Sequence, residues 1–142
     1  MRKASGVLLA MAGLLALGAE VLRADGAVAV GSTGDVVTHG IAFGMVVDLS
    51  KEKAAETALN YCKVFKGASA AANARCEVVA TFTRECFAVA LDPQPATPGA
   101  GWGVGKDQVE ANDKAMSMCE HTAGPMRKAF CEVKSAACDT KN

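Results

Sequence analysis

Two hydrophobic periods alternate along this chain, and they recur in the same order twice. Ala27-Val28-Ala29-Val30 and Phe87 to Leu91 are short runs of small and β-branched residues that predict strands. Turn-forming sequence follows each, Gly31 to Asp35 in one case and Asp92 to Gly99 in the other. Second strands are expected over Ile41 to Val47 and about Gly101 to Val104. The period then lengthens. Ala54, Ala55, Ala58, Leu59 and Cys62 recur at spacings of three and four, as do Ala111, Ala115, Met116 and Cys119, so each set forms one apolar stripe on a helix. Ser50 and Asp107 suit the N-cap, where a short side-chain oxygen accepts free N–H groups of the first turn, and Glu110 makes a variant capping box with Asp107. Gly67 and Gly124 end the helices or the loops behind them, and Pro125 blocks continuation. Third strands are expected at Cys76 to Phe82 and, more weakly patterned, Cys131 to Ser135.

The sequence itself repeats with these elements. Ser50 to Cys62 aligns with Asp107 to Cys119, and Ala74-Arg75-Cys76-Glu77-Val78 echoes Ala129-Phe130-Cys131-Glu132-Val133. A strand–strand–helix–strand unit of this size cannot cover its own apolar stripe. The expectation is therefore an α+β domain over residues 25–142, with halves of about 26–86 and 87–138. In it the two repeats share one mainly antiparallel sheet and one core, stapled by disulfides.

Six cysteines allow 15 pairings. In each half one cysteine ends a helix and the next begins the returning strand, which favours Cys62–Cys76 and Cys119–Cys131 as local closures. Cys86 and Cys138 read as equivalent ends of the third strands, and a bond between them would tie the halves together. Other pairings stay open at this level.

An even cysteine count fits an exported chain, and its start agrees. Met1-Arg2-Lys3 is a basic opening, Gly6 to Gly18 is an apolar run, and small residues permit cleavage after Gly18 or Ala24. Residues 1–24 thus read as a signal peptide, with an uncleaved helix as the alternative. The run falls short of the roughly 20 apolar residues a spanning helix needs, so no stable membrane insertion is expected once the signal is removed. The expected location is periplasmic or secreted.

Charge narrows the partners. The whole chain carries 15 basic and 15 acidic side chains; losing Arg2, Lys3, Arg23 and Glu20 with the signal leaves 12 against 14. No basic stripe marks a nucleic-acid binder. No Cys-x-x-Cys occurs, which argues against a dithiol redox pair and a zinc ribbon.

The duplicated Ala-Val-Ala strand, Gly101-Trp102-Gly103, the Ala-x-x-x-Ala-x-x-x-Cys helix at 111–119 and the following Cys-Glu-Val strand together resemble a small exported bacterial family, domain-of-unknown-function family 4189. The resemblance runs from about Gly26 to Cys138. Ala42-Phe43-Gly44-Met45 stands where the first half would carry its aromatic–glycine segment. The resemblance implies an exported, disulfide-stapled α/β domain and carries over no catalytic residues.

The candidate chemistry is sparse. Gly99 to Lys106 looks like a phosphate loop but has Ala100 at the first glycine and Asp107 where Ser or Thr belongs. Its alternating glycines suit a strand with one bare face. His39 and His121 are the only histidines, and Ser117, four residues from His121, lies mid-helix without a strained elbow. Glu77 and Glu132 occupy matching strand positions and are the carboxylate pair to consider for acid-dependent hydrolysis; the preferred reading is that both are solvent-facing strand residues beside buried cysteines.

For partner binding, the sole tryptophan, Trp102, and the stiff Pro93, Pro95 and Pro98 segment are the candidates, since a rigid ring and a rigid loop lose little entropy on docking. The competing readings are a core plug for Trp102 and a linker between repeats for the prolines. No cofactor or metal is expected. The function expected is an exported non-catalytic binding protein of the envelope or exterior, of inhibitor or immunity type, with another protein as partner. A secreted effector acting on another cell and a small acid-dependent hydrolase are the alternatives.

Overall fold

The computed structural model describes residues 25–140; the segment read as a signal peptide lies outside the described residues. The first unit runs β1 (Asp25–Gly31), the single turn α1 (Val36–His39), β2 (Ala42–Leu49), α2 (Lys51–Lys63), the short α3 (Ala70–Asn73) and β3 (Glu77–Phe82). The second runs β4 (Cys86–Leu91), β5 (Ala100–Gly105), α4 (Gln108–Ala123), a 3-10 turn at Lys128–Phe130, and β6 (Glu132–Cys138). The α+β class and the antiparallel pairing are as expected. The single shared sheet is not formed. Two three-stranded sheets stand in its place, ordered β2-β1-β3 and β5-β4-β6.

The reason lies in the first strand of each unit. Successive side chains of a strand point to opposite faces, and in β1 and β4 both faces are apolar, one small and one bulky. Ala27, Ala29 and Ala42 face Ala54, Ala58 and Cys62 of α2, all fully buried. Ala88 and Ala90 face Ala111, Ala115 and Cys119 of α4 in the same way. The bulky faces meet each other. Val28, Phe82 and Phe87 form one cluster with Val104 and Ala137, and Phe43, Val89 and Ala100 form another with Leu91 and Trp102. The layers are helix, sheet, sheet, helix, so each helix stripe is covered by its own sheet and the halves join through sheet faces.

Glycines bring the helices close. A Cβ on Gly44 would lie 1.8 Å from the Ala58 carbonyl oxygen, and one on Gly101 would lie 2.2 Å from that of Ala115. These two contacts fix the structural correspondence of the units: Gly44 matches Gly101, which puts Met45 opposite Trp102 and Phe43 opposite Ala100. The helix ends follow local rules. Asp107 accepts from the Glu110 N–H at 2.9 Å, and Gly124 at φ 73 stops α4. Ser50 makes no side-chain cap, and α2 ends at Lys63, ahead of Gly67.

The three disulfides join Cys62 to Cys76, Cys119 to Cys131 and Cys86 to Cys138. The last does not bind the halves together. β3 ends at Phe82, and Cys86 opens β4, so its partner Cys138 on β6 is a cross-strand neighbour within the second sheet. At the matching place in the first sheet the Thr83 hydroxyl donates to the Asp25 carboxylate. Contact with the junction between units comes one residue later. Asp139 accepts from the Arg84 N–H at 3.0 Å, and its own N–H donates to the Glu85 carbonyl at 2.9 Å.

One ion pair of the second unit has a buried carboxylate. The Asp92 side chain is fully buried and takes a two-point contact from Arg127, Nε to Oδ2 at 2.6 Å and Nη2 to Oδ1 at 2.7 Å. The Arg127 guanidinium, which also lies over the Phe130 ring, holds the Asp92 carboxyl down at about 2, with the Gln94 N–H assisting, against an ordinary value of 3.8. Because the folded value is depressed, the stabilisation is present above about pH 4 and is lost as pH falls through about 2. Arg127→Ala is expected to lower the urea midpoint at pH 5 and to flatten the acid loss between pH 4 and 2. Equal steepness in the two proteins across that range would refute the pairing.

Candidate functional site

Beside the outer edge of β5 lies a groove of about 830 Å³. Trp102, Gly103 and Val104 form its strand side, and Asp113, Lys114, Ser117, Met118 and His121 of α4 form its helix side. β5 is an edge strand, bonded only to β4. Its odd-numbered residues direct their backbone toward β4, as the Asp92 N–H to Gly99 carbonyl bond of 2.9 Å at the head of the strand shows. The even-numbered residues Ala100, Trp102 and Val104 therefore turn their N–H and C=O groups outward, while their side chains sit on the sheet–sheet face.

α4 runs along that edge and its side chains bond several of the outward backbone groups. The Thr122 hydroxyl bonds both the N–H and the carbonyl of Ala100, each at 2.9 Å. Lys114 donates to the Val104 carbonyl at 2.8 Å while paired with Glu110 at 2.7 Å. Glu110 in turn accepts from the Lys106 N–H at 3.2 Å, and the Lys114 ammonium followed by that amide holds its carboxyl below the usual range. Close approach is possible because β5 is bare on this face. Cβ atoms on Gly101, Gly103 and Gly105 would lie within 2.9 Å of the Cβ atoms of Met118, Lys114 and Glu110 respectively. The alternating glycines are thus a bare strand face, as their pattern implies, and no phosphate cradle forms there.

Trp102 is placed between the two surroundings considered for it. It is half-buried, packed against Val89 and its neighbours, and it also lines the groove. The proline segment is placed elsewhere. It is the β4–β5 hairpin loop within the second unit, not a linker between units, with Pro93 and Pro95 exposed and Pro98 half-buried. Pro95 borders a separate cleft of about 180 Å³ against Ile41, Phe65 and Gly67 of the first unit. The structure therefore does not bring Trp102 and the prolines into one groove.

The other candidates disperse. Ser117 and His121 share the groove wall, but no hydrogen bond joins them, and Asp113 precedes the serine in the same row. An acid holding the imidazole, as a triad needs, is not built by that order. His39 Nδ1 lies 3.3 Å from the Ser69 hydroxyl. Glu77 is exposed on β3, and Glu132 is exposed on β6 and paired with Lys134; neither lines the grooves described above. Among the described residues no group of three or more His, Cys, Asp or Glu side chains is placed to hold a metal ion. No described helix is long and apolar enough to cross a membrane.

The capped edge was not found by motif. Its signal was present all the same: Glu110, Lys114, Met118 and Thr122 recur every fourth residue, beside glycines at every second position of the preceding strand. A disulfide-stapled α+β domain with this order of elements defines the class. The chain belongs to the family described as domain of unknown function DUF4189, whose model matches residues 26–138. No curated protein and no solved structure gives a significant match.

Proposed function

We propose that the chain is an exported, non-catalytic binding protein of the cell envelope or exterior, of inhibitor or immunity type, and that it engages another protein through the Trp102 groove. The observation that carries this reading is the groove itself, which offers a large ring and the 40% exposed Met118 on a helix–strand pair whose helix is anchored by the Cys119–Cys131 disulfide. Interface hot spots favour a rigid aromatic in a partly desolvated recess. Export is supported by the basic and apolar start and by three disulfides, which persist in oxidising compartments.

The test is capture from envelope extract with immobilised mature protein. Trp102→Ala should reduce the captured partner at least about tenfold, as expected for a hot-spot truncation. Ser117→Arg, on an exposed position of the groove wall, should do the same without touching the core. Circular dichroism must show both variants folded. Turnover of an envelope polymer, abolished by Glu77→Gln or Glu132→Gln in folded protein, would overturn the reading in favour of a hydrolase.

A further inference from the structure

The row of α4 side chains along β5 has one gap. Glu110, Lys114, Met118 and Thr122 are four residues apart, a rise of about 6.0 Å per step. The outward positions of β5 are two residues apart, about 6.8 Å. The two repeats therefore keep step, and each helix residue serves one strand position: Glu110 at Lys106, Lys114 at Val104, Thr122 at Ala100. The position left for Met118 is Trp102. A thioether has no donor and only a weak acceptor, so it cannot do for Trp102 what the Thr122 hydroxyl does for Ala100. The Trp102 N–H and C=O thus face the groove with no hydrogen-bond partner among the described residues, between Ala100, whose two backbone groups are both bonded by Thr122, and Val104, whose carbonyl is bonded by Lys114.

An edge with one open donor and one open acceptor on the same residue is the complement of one residue of an extended chain. In an antiparallel pair, directly opposed residues exchange both N–H···O bonds, and their side chains fall on the same face. From these placements we infer that the groove recognises the main chain of an extended peptide segment. One apolar residue of that segment lies opposite Trp102, exchanges both backbone bonds with it, and seats its side chain against the indole. Met118 forms the adaptable wall, a use suited to its flexible and polarisable side chain. Thr122 closes the edge at Ala100 and Lys114 occupies the Val104 carbonyl, so Trp102 is the residue that offers both backbone groups and the flanking residues make few backbone bonds. This inference rests on the reading of the Trp102 groove as a binding surface and names what that surface takes.

Trp102 is the only tryptophan, so its emission reports the groove directly. The probes are capped pentapeptides, acetyl-Thr-Lys-X-Lys-Thr-amide with X as Leu, Phe or Val, and the same peptides N-methylated at X, which keeps the side chain and removes the N–H. The parent peptides should shift Trp102 emission to the blue saturably, and N-methylation should weaken binding at least about tenfold, since it removes one bond and leaves the Trp102 carbonyl buried and unpaired. Met118→Gln supplies a donor and an acceptor at the gap. It should weaken the parent peptides at least about tenfold as well, with the melting midpoint unchanged.

Equal binding of parent and methylated peptides would overturn main-chain recognition, as would unaltered binding to folded Met118→Gln protein. Concentration-dependent self-association abolished by Met118→Gln would assign the edge to a second copy of this chain and overturn the inference. If no peptide shifts Trp102 while Trp102→Ala still releases the captured partner, the inference fails and the binding function stands. Silence in both experiments removes both.

Discussion

Replacing Gly44 with alanine should destabilise the protein by about 3 kcal/mol or more, the upper range for forcing atoms into a packed core. The added Cβ would meet the Ala58 carbonyl oxygen at 1.8 Å and the Cys62 backbone nitrogen at 2.4 Å. Both are helix backbone atoms, so no side chain can rotate aside and α2 must lift from β2. Lifting it uncovers Ala54, Ala58 and Cys62, all fully buried. Gly101→Ala should behave alike against Ala115 and Cys119. Gly34 is the control: at φ 88 its alanine is strained, but no atom lies within 4 Å, so the expected loss is only about 1 kcal/mol. Urea denaturation of the three variants measures the order. A Gly44→Ala protein as stable as the Gly34→Ala protein would show that the helices do not rest on bare strand backbone.

How much of this was legible depends on which period each residue obeys. The helices were, because Ala54, Ala58 and Cys62 and their counterparts Ala111, Ala115 and Cys119 keep one face at helical spacing. The two closures from helix to returning strand were legible for the same reason. The separation into two sheets was not. A run such as Ala27 to Val30 shows no polar face, and that is compatible with a strand buried in one large sheet or between a helix and a second sheet. The decisive clue is size: alanine on one face admits a helix at short range, while valine and phenylalanine on the other need a thick apolar layer. Cys86 was misplaced because its repeat partner is not a cysteine. Asp25 stands at its position and bonds Thr83 where Cys86 bonds Cys138, so cysteine spacing alone suggested an equivalence that the strands do not have. At the groove, Trp102 and the fourfold spacing along α4 are plain in the sequence. What they do together requires knowing that β5 is an edge and which way its backbone turns.

Removing the Cys86–Cys138 bond should cost about 4 kcal/mol by chain entropy, against about 3 kcal/mol for either shorter closure. The loops closed span 52, 14 and 12 residues. The place where the loss appears is as informative as its size. Residues 132–136 of β6 are exposed, so that strand has little apolar cover and depends on its ladder to β4 and on the staple at its end. In the Cys86→Ser, Cys138→Ser protein, hydrogen exchange should accelerate first in Val133 to Ala137. β3 should keep its protection, because its corresponding end is held by Thr83 and Asp25. Trp102 emission should be unchanged under native conditions, since the groove is built from β5 and α4 on the opposite side of β4, and α4 is anchored by Cys119–Cys131. Simultaneous loss of protection in β1, β2 and β3 would instead mean that the bond joins the units, as cysteine spacing alone suggests. A stability equal to that of the Cys62→Ser, Cys76→Ser protein, with β6 still protected, would show that the β4–β6 ladder needs no staple.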